Sequence, residues 1–182
     1  VYDSGNFKKN LLDCLDKSNY NSVENRKKVS LKKDKLRGIG ISTYIEACGG
    51  GGPESASVTV SKNGSIEVKI GTQSNGQGHA TSYAQIVSEI LDIDIEQIEI
   101  IQGNSKEIAT GSGTGGSRSM PVGGSALYKA TEEFLNKSKG IIASHQSLDV
   151  NNLIYEKGFF KYKKKLFSLS DVANIANDQN EK

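Results

Sequence analysis

The sequence predicts an α+β fold, a two-layer sandwich built on a mixed sheet. Strand-like runs gather ahead of the longest helical run, an order that favours such a sandwich over a doubly wound fold. Asn63-Gly64 joins two of those runs and is a strong hairpin signal. Two glycine-rich stretches each lie between a strand-like run and a helical one, where tight loops approach something closely.

Taken in order, Phe7, Leu11, Leu12 and Leu15 fall at helical spacing, so residues 6–17 are expected to form a short amphipathic helix. Residues 23–35 are Lys-rich and read as a solvated helix. Ile39, Ile41, Thr43 and Ile45 alternate with smaller or polar residues, a strand pattern. Strands are also expected at 57–61 and 65–70, on either side of Asn63-Gly64. Tyr83, Ile86, Val87, Ile90 and Leu91 then mark an amphipathic helix, followed by a short buried strand at 98–102. Apolar residues from Val122 to Ile142 keep helical spacing, and Gly140 is expected to end or kink that helix. A hairpin around Lys157-Gly158 and a helix over 170–176 close the chain. This divides it into a helical lead-in, 1–36, and an α+β domain, 37–182.

Composition narrows the function. Charged residues make up 24% with a net charge of +2, so no broad basic field marks nucleic acid as a partner. No apolar run of about 18 residues is present to span a membrane. Cys14 and Cys48 are too few for a disulfide framework or a four-thiolate metal site. They read as reduced cysteines of a cytoplasmic protein. The chain begins at Val1 and its single methionine is Met120, which reads either as a start left out of the sequence or as a segment cut from something larger.

Glycine is the outlier. Of 20 glycines, 13 fall in three clusters: Gly49 to Gly52; Gly71, Gly76 and Gly78; and Gly111, Gly113, Gly115, Gly116, Gly123 and Gly124. The second and third clusters lead from a strand to a helix start. A glycine turn there presents unpaired backbone N–H groups at the positive end of the helix dipole, suited to a phosphate or pterin oxygen. Gln77 adds a donor and an acceptor, Ser117 and Ser119 add hydroxyls, and Arg118 adds a guanidinium fork. One such loop is an ordinary tight turn that caps a helix. Two in one small domain, with Gln, Ser and Arg at their tips, point to a shared ligand.

Other motifs fail on detail. Gly111, Gly113 and Gly116 satisfy G-x-G-x-x-G, but residues 103–110 separate them from the strand, and Glu132 and Glu133 fall mid-helix. No G-K-[ST] follows a glycine run, so a P-loop is excluded. His79 and His145 share no cysteine or carboxylate cluster at ligand spacing, so no protein-bound metal is expected. His79 opens a helix, where the dipole disfavours its charged form and a hydrogen-bonding cap suits it better than a base. Ser117 has no positioned base to make it a nucleophile.

Gly71-Thr72-Gln73-Ser74-Asn75-Gly76-Gln77-Gly78-His79, followed by Tyr83-Ala84-Gln85-Ile86-Val87, closely resembles a signature of molybdenum hydroxylase large subunits. So does Gly113-Thr114-Gly115-Gly116-Ser117-Arg118-Ser119, with Pro121-Val122-Gly123-Gly124-Ser125-Ala126-Leu127 after it. Tyr2-Asp3-Ser4-Gly5-Asn6-Phe7, Arg37-Gly38-Ile39-Gly40 and Gly49-Gly50-Gly51-Gly52-Pro53 look like the carbon monoxide dehydrogenase branch of that family, which also includes xanthine dehydrogenases and aldehyde oxidases. The resemblance runs from about Tyr2 to Ala176 and implies part of a molybdenum-cofactor-binding domain. It assigns Gly76, Gln77, Gly78 and His79 to one side of the molybdenum cofactor, and Gly115, Gly116, Ser117, Arg118 and Ser119 to the pterin or its phosphates. It implies molybdopterin cytosine dinucleotide here, with FAD and [2Fe–2S] clusters on other domains or subunits. It further implies oxidation of a carbon centre with oxygen from water.

Departures bear on this. Ala80 stands where many members carry an acid, and Asn104 where Asp is common. The family's catalytic glutamate lies in a Gly-x-Gly-Glu stretch that this sequence lacks, so no catalytic residue is assigned and the segment alone is expected to be inactive. The expected partners are the rest of the large subunit and the FAD-binding and iron–sulfur subunits. The competing reading is a stand-alone module that binds a nucleotide or phosphate ligand without redox activity.

Overall fold

The computed structural model describes residues 4–178, which fall into two compact units divided between Glu46 and Ala47. In the first, helix α1 (Phe7–Lys17) starts where the Asn6 side chain accepts the Lys9 N–H at 3.0 Å. That bond satisfies one of the orphan donors of the first turn. Helix α2 (Val23–Leu31) follows a tight turn held by Arg26, whose Nη2 donates to the carbonyls of Ser18 and Asn19. Only Val23 and Ser30 are buried along the two helices. The strand expected across residues 39–45 does not form. Ile39, Ile41, Tyr44 and Ile45 remain exposed. Alternation prepares one face of a strand, but a strand exists only where its N–H and C=O groups meet a ladder.

The second unit carries the rest of the fold. Strands β1 (Ala56–Val60) and β2 (Ile66–Ile70) pair antiparallel, with the hairpin turned at Gly64 in the left-handed region. Helix α3 (His79–Leu91) crosses over to β3 (Ile98–Gln102), which pairs parallel to β2 with Ile70 opposite Gln102. The sheet order β1-β2-β3 is therefore mixed, as expected. Ile66, Val68 and Ile70 point to one face of β2 and are fully or almost fully buried, because side chains alternate along a strand. Tyr83, Val87 and Leu91 of α3 pack on that face with Leu127, Ile141 and Ile142 of helix α4 (Ser125–Gln146). Helices thus form the second layer over the sheet.

Two details of α4 differ from expectation. It does not begin directly after the glycine loop; a π-helical turn, Ser119–Gly124, comes first. It also runs through Gly140 unbroken, since a glycine weakens a helix but does not end one without a competing turn. After α4 a second, antiparallel sheet of β4 (Ile154–Glu156), β5 (Phe159–Tyr162) and β6 (Lys165–Ser168) leads into α5 (Leu169–Asp178). Phe160 and Leu169 join the main core. The sequence indicated the first two strands of this sheet and missed β6, a four-residue strand that directly follows a run of lysines. Among the described residues, no helix is long and apolar enough to cross a membrane.

Candidate cofactor-binding site

Parallel pairing brings two loops together. Strands β2 and β3 end side by side, so the loop after Ile70 and the loop after Gln102 leave the sheet at the same end. They touch where Gly71 meets Gly111: a Cβ on Gly71 would come within 2.6 Å of the Gly111 Cα and would strike the Glu54 carboxylate. Glycine is required there for contact, since the Gly71 backbone is not left-handed.

Beyond that contact the loops part around a cavity of about 420 Å³ lined by Gln77, His79, Thr114, Gly115, Ser117, Arg118 and Ser119. Of the nine residues singled out from sequence, six line this one space. Gly76, Gly78 and Gly116 are their direct neighbours in the chain. A Cβ on Gly76, Gly78 or Gly115 would meet nothing within 4 Å, so the backbone at these points is open to close approach. A larger, polar cleft of about 810 Å³ lies elsewhere, beside Glu89, Asp92 and Lys157. It opens on neither glycine loop that precedes a helix.

The side chains divide into those facing outward and those holding the loops. The Gln77 carboxamide oxygen accepts from the Asn75 N–H and the Ser74 hydroxyl, which directs the chemistry it offers a ligand to its NH2 donors. His79 is buried and uses Nδ1 to donate to the Gln73 carbonyl at 3.2 Å, a capping role. Ser117 is exposed at the tip in a left-handed conformation. Ser119 is buried; its hydroxyl pairs with that of Thr114 at 2.9 Å, and its carbonyl accepts from Tyr83 at 3.1 Å. Tyr83 also pairs with Thr72 at 2.6 Å, and burial pushes its phenol above the usual tyrosine range. A Cβ on Gly123 would lie 2.7 Å from the Thr72 hydroxyl, so this glycine lets the π-helical turn close onto the pair.

Arg118 differs most from the sequence reading. Its guanidinium is buried and bonds within the protein: Nη1 to Glu54 at 2.5 Å and the Gly113 carbonyl at 2.6 Å, Nη2 to the carbonyls of Gly52 and Pro53. Four of its donors are thus committed to acceptors in the loops. Only Nε is buried without a partner in its side chain. Sequence reasoning also missed Glu54 and the first glycine run as parts of this site. Gly49 and Gly50 donate to the Gly116 carbonyl at 3.1 and 3.2 Å, so that run backs the third cluster. The available signal was that Glu54 is the one acid between Glu46 and Glu67, directly after the run.

Two glycine loops on adjacent parallel strand ends, facing one cavity and each leading to a helix start, define a domain built to hold an extended polar cofactor. Comparison with known proteins supplies the particular family. The sequence profile of the molybdopterin cofactor-binding domain matches residues 13–182, and the chain belongs to that family. It is 31% identical to the carbon monoxide dehydrogenase large chain of Hydrogenophaga pseudoflava over 96% of its own length and 24% of that protein's. It is 28% identical to the nicotine 6-hydroxylase large subunit of Paenarthrobacter nicotinovorans, over 97% of this chain and 23% of that one. Among solved structures it matches the Cu,Mo-CO dehydrogenase in its carbon monoxide-reduced state, with a TM-score of 0.63 and 31% identity over 94% of this chain and 24% of the other. The chain therefore spans about a quarter of the length of these relatives.

The residues present fit such a cofactor. The cavity offers amide and hydroxyl donors and open glycine backbone, and the orphaned Arg118 Nε belongs to a residue on its wall. This donor set suits a polar heterocycle with phosphate oxygens.

Proposed function

We propose that the chain forms one side of the cofactor site in the large subunit of a molybdenum hydroxylase of the xanthine, aldehyde or carbon monoxide dehydrogenase type. The cavity shared by the Gln77 and Ser117 loops carries this reading. Gly76, Gln77, Gly78 and His79 would hold one side of the cofactor; Gly115, Gly116, Ser117 and Ser119 would face the pterin and its phosphates, with Arg118 on the cavity wall holding their loop in place through its own bonds. Molybdopterin cytosine dinucleotide is the form we expect. Bound there, the cofactor would supply the redox centre at which a substrate carbon is oxidised with oxygen from water.

The chain's own residues orient and enclose. Gln77 presents NH2 donors from a side chain whose oxygen is anchored by its own loop, so those donors are aimed before any ligand arrives. Ser117 adds a hydroxyl from the facing loop, and the glycines let backbone approach the ligand without a Cβ between. His79, Thr114, Ser119 and Tyr83 hold the loops at their separation. The base of the reaction, the remaining cofactor contacts and the substrate pocket would come from the rest of the large subunit. FAD and [2Fe–2S] clusters would sit on partner domains or subunits, in the cytoplasm. The stand-alone ligand-binding alternative is disfavoured, because the family profile covers residues 13–182.

The test is Gln77→Ala in the full-length subunit. We expect molybdenum retention or turnover to fall roughly ten- to hundredfold, with secondary structure unchanged. Wild-type subunit that carries no molybdenum, or a variant equal to wild type in both measures, would overturn the assignment.

A further inference from the structure

We propose that Glu54 is a positioning residue of this site, setting the Gly111–Ser119 loop through Arg118 rather than touching the ligand. The inference rests on the cofactor-binding reading above. Its observation is a buried ion pair where three glycine runs converge, with Glu54 and Arg118 side chains 0% and 5% exposed.

Each oxygen of Glu54 has separate work. Oε2 accepts from Arg118 Nη1 and from the Ser112 N–H, both on the third glycine loop. Oε1 accepts from the Ser55 N–H and lies against Gly71 and Gly111, where the second and third loops touch. Arg118 then fastens the Gly113 carbonyl on its own loop to the Gly52 and Pro53 carbonyls on the first run. Pro53 also accepts from the Ser112 hydroxyl at 2.8 Å, and Ser55 donates to the Thr110 carbonyl. The carboxylate is thus the hub of the wall from which Ser117 projects.

Only a carboxylate satisfies this arrangement. All three groups facing it are donors: the guanidinium, the Ser112 N–H and the Ser55 N–H. A glutamine would keep the shape but turn an NH2 toward one of them, donor against donor, and leave the buried guanidinium without its counter-charge. The loop would then rotate to relieve that contact, and donors preset for a ligand would lose their direction.

The experiment uses the full-length subunit with cofactor loaded in the cell. Glu54→Gln and Arg118→Lys are purified, and molybdenum release is timed at a temperature where circular dichroism shows both fully folded. Arg118→Lys keeps the charge and loses the fork that reaches four acceptors, so it serves if Glu54→Gln fails to fold. We expect release from the folded variants to be about tenfold faster than from wild type. Glu54→Asp, which restores the charge, should recover part of the difference. A purely structural role would lower melting temperature and leave release from the folded protein unchanged, and that result would overturn the proposal. Wild-type protein devoid of molybdenum would instead count against the cofactor reading itself, so the two failures are distinguishable.

Discussion

Tyr155 shows how one buried phenol ties stability to pH. Its hydroxyl donates to the Leu91 carbonyl at 2.7 Å, and its ring packs on Phe160 with centroids 4.6 Å apart. Burial, then the nearby Asp92 charge, raises its pKa well above the ordinary 10.0. An unfolded chain ionises this tyrosine near pH 10, while the folded chain holds it neutral to higher pH. The unfolded state therefore binds fewer protons above that point, and stability falls as pH rises. The stabilisation is fully present below about pH 10 and is lost above it. Tyr155→Phe removes the hydrogen bond, worth about 1 kcal/mol, and should lower the melting temperature at pH 8 while flattening its decline toward pH 11. Parallel melting curves across that range would show that Tyr155 is not the group responsible.

At the scale of elements, one substitution should act with opposite signs on two glycines. Gly140 lies inside α4, and a Cβ there would meet nothing within 4 Å. Gly140→Ala should therefore stabilise the chain by about 1 kcal/mol through helix propensity and reduced freedom of the unfolded state. Gly71→Ala drives a methyl into Gly111 and Glu54, and should destabilise by about 3 kcal/mol, the upper part of the overpacking range. Denaturant midpoints of both variants measure the two effects; equal signs would contradict the packing described. The contrast also marks what sequence could reveal. Strand β3, expected to be buried and found only partly so, and the β1–β2 hairpin were legible because a short apolar run and Asn63-Gly64 are local signals. The strand expected at residues 39–45 and the missed β6 turn on pairing partners, which no local pattern encodes. The unbroken passage of α4 through Gly140 likewise depends on context. In the site, glycine spacing exposed both loops. The inward turn of Arg118 was hidden, because three of its four acceptors lie 64 to 66 residues away in the chain.

Those sequence separations carry a kinetic consequence for the molecule as a whole. The β1–β2 hairpin closes through a few residues at Gly64, whereas β3 can join β2 only after the chain has traversed all of α3. The Glu54 contacts with Ser112 and Arg118 bridge 58 and 64 residues. Closing longer loops costs more entropy, and contacts of long sequence separation slow the search. The hairpin and α3 should therefore be organised at the folding barrier, with the ion pair closing after it. Mutations made late on a pathway speed unfolding and spare refolding. In stopped-flow experiments on this chain, Gly64→Ala should slow refolding, while Arg118→Lys should mainly accelerate unfolding. Equal slowing of refolding by both would place the ion pair in the nucleus instead. A newly made chain would on this order possess a finished sheet before a finished cavity, and for that interval the glycine loops would still be open for a ligand to enter from any side.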